Sequence, residues 1–305
     1  MLYLAISILL MSALAIILRW SVGRGAEPHG LNAAYRITGG LVTLALALPS
    51  LDWQRLSEFW HVAGAAACIA AVFYWLTGLA SIKCVELGPL GASWTVIRCS
   101  MVIPALASLL YWHEVPLWPP SPTLGCRLLG LFAVAGALVL LGGRRGKAAV
   151  AAGAAGAATG VRAGVRTAWL GWLALAFVAQ GAWEVCLRAT RSYPDSASRS
   201  FFLLVTFSLA MLLAGGGSLA ARVRIGRREV LFGILAGTCA LAGSGLRVWA
   251  LRDVDGIIVF PATTAGVLLL VQAAGCLLWG ERVSRRGLGA LALAILGIAL
   301  LAVRT

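Results

Sequence analysis

Charged residues are scarce in this sequence. Lysine, arginine, aspartate and glutamate make up 12% of the 305 residues, and only 11 residues are acidic, whereas 61% are apolar. Soluble domains average about 45 to 50% apolar and about 25% charged residues. A soluble globular fold is therefore excluded, and the composition predicts an integral membrane protein.

Catalytic and metal-binding motifs are also lacking. The three histidines (His29, His61 and His113) are scattered near the ends of apolar runs, and the seven cysteines form no CxxC pair. The sequence contains neither an HExxH motif nor a recognisable Ser/His/Asp set. We expect no catalytic residues, no metal and no cofactor, and we interpret the cysteines as small core residues.

The apolar residues form ten runs separated by short polar connections. About 20 apolar residues cross the hydrocarbon core of a bilayer, so each run is a candidate transmembrane helix. The predicted spans are approximately residues 2–18, 32–48, 60–82, 90–112, 124–141, 168–187, 201–221, 230–251, 257–279 and 288–303.

The two halves of the chain repeat the same features in the same order. The matching pairs are Leu18-Arg19 with Leu187-Arg188, Arg36 with Arg199, Pro104 with Pro261, and Trp112-His113-Glu114 with Trp279-Gly280-Glu281. Because each half holds an odd number of spans, the second copy should be inverted in the membrane. The sequence predicts an all-α integral membrane fold of ten transmembrane helices, arranged as two inverted five-helix repeats (1–142 and 167–305). An Ala/Gly-rich basic linker, 143–166, joins them.

These features resemble the drug/metabolite transporter superfamily, in particular its ten-span EamA-type members. The resemblance rests on the aromatic-(Gly)-Glu signature after spans 4 and 9, the Gly-punctuated spans that follow it, and the arginine that opens spans 2 and 7. The first copy departs from the usual Gly-Glu by carrying His113. The resemblance implies a transporter that works by alternating access, with a substrate cavity between its halves, and it implies no particular substrate.

Ionisable side chains inside a bilayer are the first candidates for function. Such a group costs about 2.5 to 3.5 kcal/mol at mid-bilayer, so it normally faces a cavity or a partner. Arg98 is our leading candidate for substrate contact; the alternative is that it pairs with a carboxylate such as Glu184 or with carbonyls freed near Pro104. Glu184 either carries a coupling proton or pairs with Arg188, four residues further along its helix.

The other candidate site residues are polar or aromatic. Trp94, Tyr74, Gln180, Trp249 and Thr264 could line the substrate cavity. Tryptophan and tyrosine are also common anchors at the membrane interface, and that alternative stays open. We interpret the signature residues Glu114, Glu281, Arg36 and Arg199 as structural or gating groups.

The sequence therefore predicts a secondary transporter that moves a small polar or amphipathic metabolite by alternating access. A flippase for a lipid-linked sugar or another amphipathic lipid is the alternative, and a membrane-embedded enzyme is disfavoured. We expect a multi-pass protein of the plasma or bacterial inner membrane, with a metabolite and membrane lipids as partners. The net charge of +14 lies mostly in short loops, as membrane orientation requires, so nucleic acid is not an expected partner.

Three questions stay open at this point: whether transport is coupled to a proton or another ion, whether the protein forms a homodimer, and which way up it lies. The loop charges place both termini outside the cell, whereas members of the resembled superfamily usually keep both termini in the cytoplasm.

Overall fold

A computed structural model of the protein describes residues 2–47, 49, 52–87, 96–113, 125–137, 140, 159–223, 225–279, 289, 292–293, 295–297 and 299–300. All regular secondary structure in these residues is helical. The helices are α1 (Leu2–Gly23), α2 (Pro28–Ala47), α3 (Leu56–Phe59), α4 (Ala65–Leu87), α5 (Val102–Leu110), α6 (Gly125–Ala137), α7 (Thr159–Ala189), α8 (Ser196–Ala220), α9 (Arg227–Asp253) and α10 (Gly256–Trp279).

The expected all-α fold is confirmed in the described residues, which include helices suited to a membrane. Five stretches are long and apolar enough to cross one: Leu56–Ser81, Thr167–Ser192, Ser196–Ala220, Arg227–Asp253 and Gly256–Gly275. Three shorter helical stretches are also apolar: Leu2–Leu18, Val96–Leu110 and Gly125–Ala137. The chain is thus an all-α protein with at least five helices that fit a bilayer, as its apolar composition requires.

Two boundaries differ from those predicted. The third predicted span starts earlier, because α3 and a π-helical turn, Trp60–Gly64, run directly into α4. Helix α7 begins at Thr159, so the end of the predicted linker is helical, and residues 143–158 lie outside the described part of the chain.

The two matching prolines have different effects on their helices. Proline lacks an N–H and its ring crowds the carbonyl four residues earlier, which for Pro104 belongs to Ser100. The chain forms a turn at Ser100 and Met101, and α5 begins only at Val102. Helix α10, by contrast, continues through Pro261. The helix is thus interrupted shortly before Pro104 and is continuous at Pro261.

The described helices pack into two compact units that do not follow the predicted repeats. The first unit comprises Met1–Trp75 and Val185–Val254, and the second comprises Leu76–Glu184 and Asp255–Thr305. Each unit takes helices from both halves of the sequence. The division of the sequence into repeats at 1–142 and 167–305 stays a prediction, since a sequence repeat and a compact unit are different properties.

Glycine gives the first unit its close helix contacts. Helix α2 packs against both α8 and α9, and α1 packs against α9. A Cβ atom added at Gly237 would lie 2.5 Å from the Tyr35 carbonyl oxygen, and one added at Gly40 would lie 2.5 Å from the Met211 Cβ. The absence of side chains at these positions therefore lets α2 lie almost backbone to backbone with its neighbours.

The second unit has a core of small and branched side chains. Ala80, Cys84, Ile97, Leu173 and Ala176 form a buried cluster. The burial of Cys84 agrees with its interpretation as a small core residue.

Helix α6 also packs closely within the second unit. A Cβ atom at Gly297 would come within 2.9 Å of the Gly130 carbonyl oxygen. The Gly-rich predicted spans 5 and 10 thus approach one another at this point, as their composition indicated.

The glycine contacts predict a difference between two alanine substitutions. Gly237→Ala should destabilise the protein by about 1 to 3 kcal/mol, because overpacking a close contact outweighs the helix propensity that alanine gains. Gly216→Ala in α8 is the control, since nothing lies within 4 Å of a Cβ at Gly216. Thermal unfolding in detergent measures both, and equal melting temperatures for the two variants would contradict the packing.

Asp195 fixes the start of α8. Its side chain accepts a hydrogen bond from the backbone N–H of Ser198 at 2.7 Å, the standard N-cap contact. It also accepts a hydrogen bond from Arg55 Nη2 at 3.0 Å. These bonds, with the Ser198 N–H the larger effect, lower the pKa of the Asp195 carboxyl below its ordinary value of 3.8.

The Asp195 contacts predict a loss of stability in acid. Because the pKa is lowered by folding, the carboxylate stabilises the fold fully above pH 3.8 and loses that effect as the pH falls below it. Asp195→Ala should cost about 0.5 to 2 kcal/mol at pH 7 and less at pH 3. Unfolding at both pH values measures this, and a pH-independent difference would contradict the assignment.

Candidate functional site

Arg36 is a buried cation near the middle of α2. Its exposed fraction is 3%. Since α2 begins at Pro28, Arg36 lies roughly 12 Å along the helix axis from that end. This is deeper than the single turn expected from the sequence, which placed the start of the span at Asn32. Arg36 is thus a buried ionisable group within a helix of 20 residues, and its position inside a bilayer stays a prediction.

Aromatic rings surround the Arg36 guanidinium. Its central carbon lies 4.0 Å from the centre of the Tyr74 ring and 4.9 Å from the centre of the Tyr35 ring. The Tyr74 side chain also forms hydrogen bonds with Arg36 and Tyr35. On its other side Tyr74 packs against Phe207, with ring centres 5.3 Å apart. These four residues, the Arg36 cluster, all belong to the first unit.

Two nitrogens of Arg36 lack hydrogen-bond partners in the described part of the chain. Both Nε and Nη1 are buried and make no hydrogen bond. A buried donor without an acceptor costs about 1 to 3 kcal/mol, and more when it is charged. Cation–π contacts offset only part of this free-energy cost, since a desolvated contact contributes about 2 kcal/mol. The guanidinium therefore has two donors that an acceptor group could satisfy.

Arg199, the predicted counterpart of Arg36, has a different environment. It is also buried, but its Nε donates to the Thr190 carbonyl at 3.2 Å and its Nη2 donates to the Tyr193 carbonyl at 2.8 Å. These acceptors lie where the chain leaves α7. These contacts tie Arg199 to the backbone at the end of α7, and its structural or gating role stays a prediction. Arg199 thus donates to backbone carbonyls, whereas two donor nitrogens of Arg36 have no acceptor among the described residues.

Gln180 and Glu184 are brought together on α7. Gln180 Nε2 donates to Glu184 Oε1 at 2.9 Å. Glu184 is 4% exposed, and Arg188, one turn further along, is equally buried. Both interpretations of Glu184, pairing with Arg188 and proton coupling, stay predictions.

The other candidates are spread over both units. Arg98 is half-buried in the helical turn before the Pro104 break, and Thr264 is buried in α10 of the same, second unit. Trp249 is half-buried in α9 of the first unit. Trp94, Glu114 and Glu281 lie outside the described residues. Substrate contact by Arg98, Trp249 and Thr264 stays a prediction.

Sequence reasoning missed three features of these helices. Tyr35 was overlooked, although an aromatic beside Arg36 in the chain was a usable signal. Phe207 joins the cluster only through tertiary packing, so no local pattern indicates it. In the second unit Arg127 Nη1 lies 3.3 Å from Asp255 Oδ2, an ion pair between positions far apart in sequence.

Comparison with known proteins gives the fold and nothing further. No protein-family model matches the chain, and no curated protein matches its sequence. A solved structure described only as a crystal structure of a protein is similar, with a TM-score of 0.69 and 20% sequence identity over 99% of this chain and 96% of that chain. At this identity the likeness shows the fold alone, so activity and substrate must be argued from the residues.

The contrast between the two arginines predicts opposite effects on stability. Arg36→Met should leave the free energy of unfolding unchanged or raise it, because methionine removes unmet donors and keeps the apolar stem. Arg199→Met should lower it by about 1.5 to 3 kcal/mol, because the bonds to two carbonyls are lost. Denaturation of both variants in detergent is the measurement. A loss at Arg36 as large as the loss at Arg199 would show that Arg36 is structural.

Proposed function

We propose that the protein is a secondary transporter that moves a small polar or amphipathic metabolite across a cell membrane by alternating access. In this proposal the chain crosses the membrane ten times as two inverted five-helix repeats of the EamA type. The substrate contacts the Arg36 cluster in one of the transport states.

The observation that carries this proposal is the buried Arg36 guanidinium with two unmet donors. A structural arginine is held by backbone acceptors, as Arg199 is. A charged group that lacks them is destabilising unless another molecule supplies acceptors. Selection for stability alone would replace such a residue with an apolar one, so its presence favours ligand binding.

The surroundings of Arg36 favour a ligand with both polar and apolar parts. The guanidinium offers charge-assisted hydrogen bonds, whereas Tyr35, Tyr74 and Phe207 offer ring faces and edges. A small metabolite with a carboxylate, phosphate or carbonyl group beside an apolar portion matches both. Arg98 stays a second candidate for substrate contact.

Repeated sequence features support transport over static binding. The matched Arg, Pro and aromatic-Glu positions indicate two copies of one unit, and inverted copies are the usual basis of alternating access. The lack of catalytic and metal motifs in the sequence disfavours an enzyme. A flippase for a lipid-linked sugar differs from this proposal in its substrate, and the binding experiment separates the two.

Ligand binding can be tested by thermal stabilisation. Amino acids, sugars, nucleotides, organic acids and lipid-linked sugars are added to the wild type and to the Arg36→Met and Arg98→Ala variants. A ligand at 100 times its dissociation constant should stabilise the wild type by about 2.7 kcal/mol, and neither variant should respond. Arg252→Gln is the control, because Arg252 is exposed beside Asp253.

Uptake into proteoliposomes decides between binding and transport. Accumulation of the stabilising ligand by the wild type and by Arg252→Gln, with none by Arg36→Met, is the expected result. Unchanged uptake by Arg36→Met would refute the site. A response to lipid-linked sugars alone would identify a flippase, and chemical conversion of the ligand without movement would identify an enzyme.

A further inference from the structure

A pocket with two arginines lies where α1 ends and α9 begins. It has a volume of about 330 Å³ and is lined by Arg24, Arg228, Leu231 and Phe232. Arg24 directly follows α1, and Arg228 lies in the first turn of α9. All four residues belong to the first unit. The ends of helices that cross a bilayer lie at its polar interface, so we place the pocket there.

Contacts within the pocket hold its two guanidinium groups in place. The Arg24 guanidinium lies over the Trp20 ring, 4.1 Å from its centre, and Trp20 packs edge-on against Phe232. Arg228 Nη1 donates to the Arg24 backbone carbonyl at 2.9 Å. Arginine keeps further donors for a second acceptor, so both residues can still bind an anion.

The carboxylates near the pocket are engaged by backbone N–H groups. Glu229 Oε1 accepts from the Glu27 N–H at 2.9 Å, and the Glu27 carboxylate accepts from the Gly30 N–H. Neither glutamate lines the pocket. Arg222 in the connection from α8 to α9 and Arg227 at the start of α9 are also exposed, so positive charge predominates at this end of the unit.

The surface beyond the pocket is apolar and exposed. Arg228, Leu231 and Leu235 are spaced along one face of α9, and Leu231 and Leu235 are 60% and 47% exposed. Trp20, which is 48% exposed, flanks the same end. A tryptophan at this level is typical of the headgroup region. The positive pocket therefore continues into a strip that suits acyl chains.

From this arrangement we propose that the pocket is a binding site for the headgroup of an anionic phospholipid. The phosphate accepts hydrogen bonds from Arg24 and Arg228, and the acyl chains lie along Leu231 and Leu235. Basic clusters at the membrane surface attract anionic lipids in this way. The site is separate from the Arg36 cluster, so the inference does not depend on the proposed function.

Retention of lipid in native mass spectrometry tests the site. Phosphatidylglycerol or phosphatidylcholine is added to the detergent-solubilised protein, and bound lipid is counted for the wild type and for Arg24→Gln. We expect the wild type to prefer phosphatidylglycerol, and Arg24→Gln to bind it about fivefold more weakly, since each basic residue at the surface contributes about 1 kcal/mol. Raising the salt concentration should also weaken binding.

Arg24→Gln is preferred to a substitution of Arg228, because it keeps the hydrogen bond from Arg228 to the backbone carbonyl of residue 24. Arg252→Gln, at the opposite end of α9, is the matched control and should bind phosphatidylglycerol as the wild type does. Equal phosphatidylglycerol binding by wild type and Arg24→Gln, or equal loss in Arg24→Gln and Arg252→Gln, would overturn the proposal. Displacement of the lipid by equimolar inorganic phosphate would overturn the lipid assignment and identify a site for free phosphate.

Discussion

The first unit depends on the close contact of α2 with α8 and α9. Gly40, Gly233 and Gly237 let these helices approach until backbone meets backbone, so one side of α2 packs directly against α8 and α9. Arg36 is buried in this unit, with an exposed fraction of 3%. Donors that are buried away from water and lack an acceptor carry an energetic cost, and Arg36 has two such donors among the described residues.

Stability and function conflict at Arg36. The same packing could have enclosed an aliphatic side chain at lower free energy, since replacing a buried charge by an apolar group is often neutral or stabilising. Two tyrosine rings, Tyr35 and Tyr74, reduce the energetic penalty for the guanidinium, while Nε and Nη1 have no acceptor among the described residues. Arg199 in the same unit donates instead to two backbone carbonyls. The difference between them makes Arg36 the better candidate for ligand binding.

Composition and periodicity predicted the helical fold and the positions of most helices. They did so because a membrane helix forms its backbone hydrogen bonds within itself and needs a long run of apolar residues, which is visible in the sequence. They could not predict that each compact unit combines helices from both halves, since that depends on long-range contacts such as Gly237 with Tyr35. For the same reason the contact between Tyr74, named as a cavity candidate, and Arg36, interpreted as a structural or gating group, was not foreseen. The predicted repeat pairs Arg36 with Arg199 and Pro104 with Pro261, and the different surroundings of the paired residues could not be read from the sequence.

An experimental map at Arg36 tests the central claim most directly. The protein would be imaged at a resolution that shows ordered solvent and ligands, first as purified and then with a ligand found by thermal stabilisation. Density from a non-protein acceptor within hydrogen-bonding distance of Nε or Nη1, replaced by the ligand when it is added, is the predicted result. A protein carboxylate paired with both nitrogens would contradict the account, since Arg36 would then be a structural residue with its charge already neutralised.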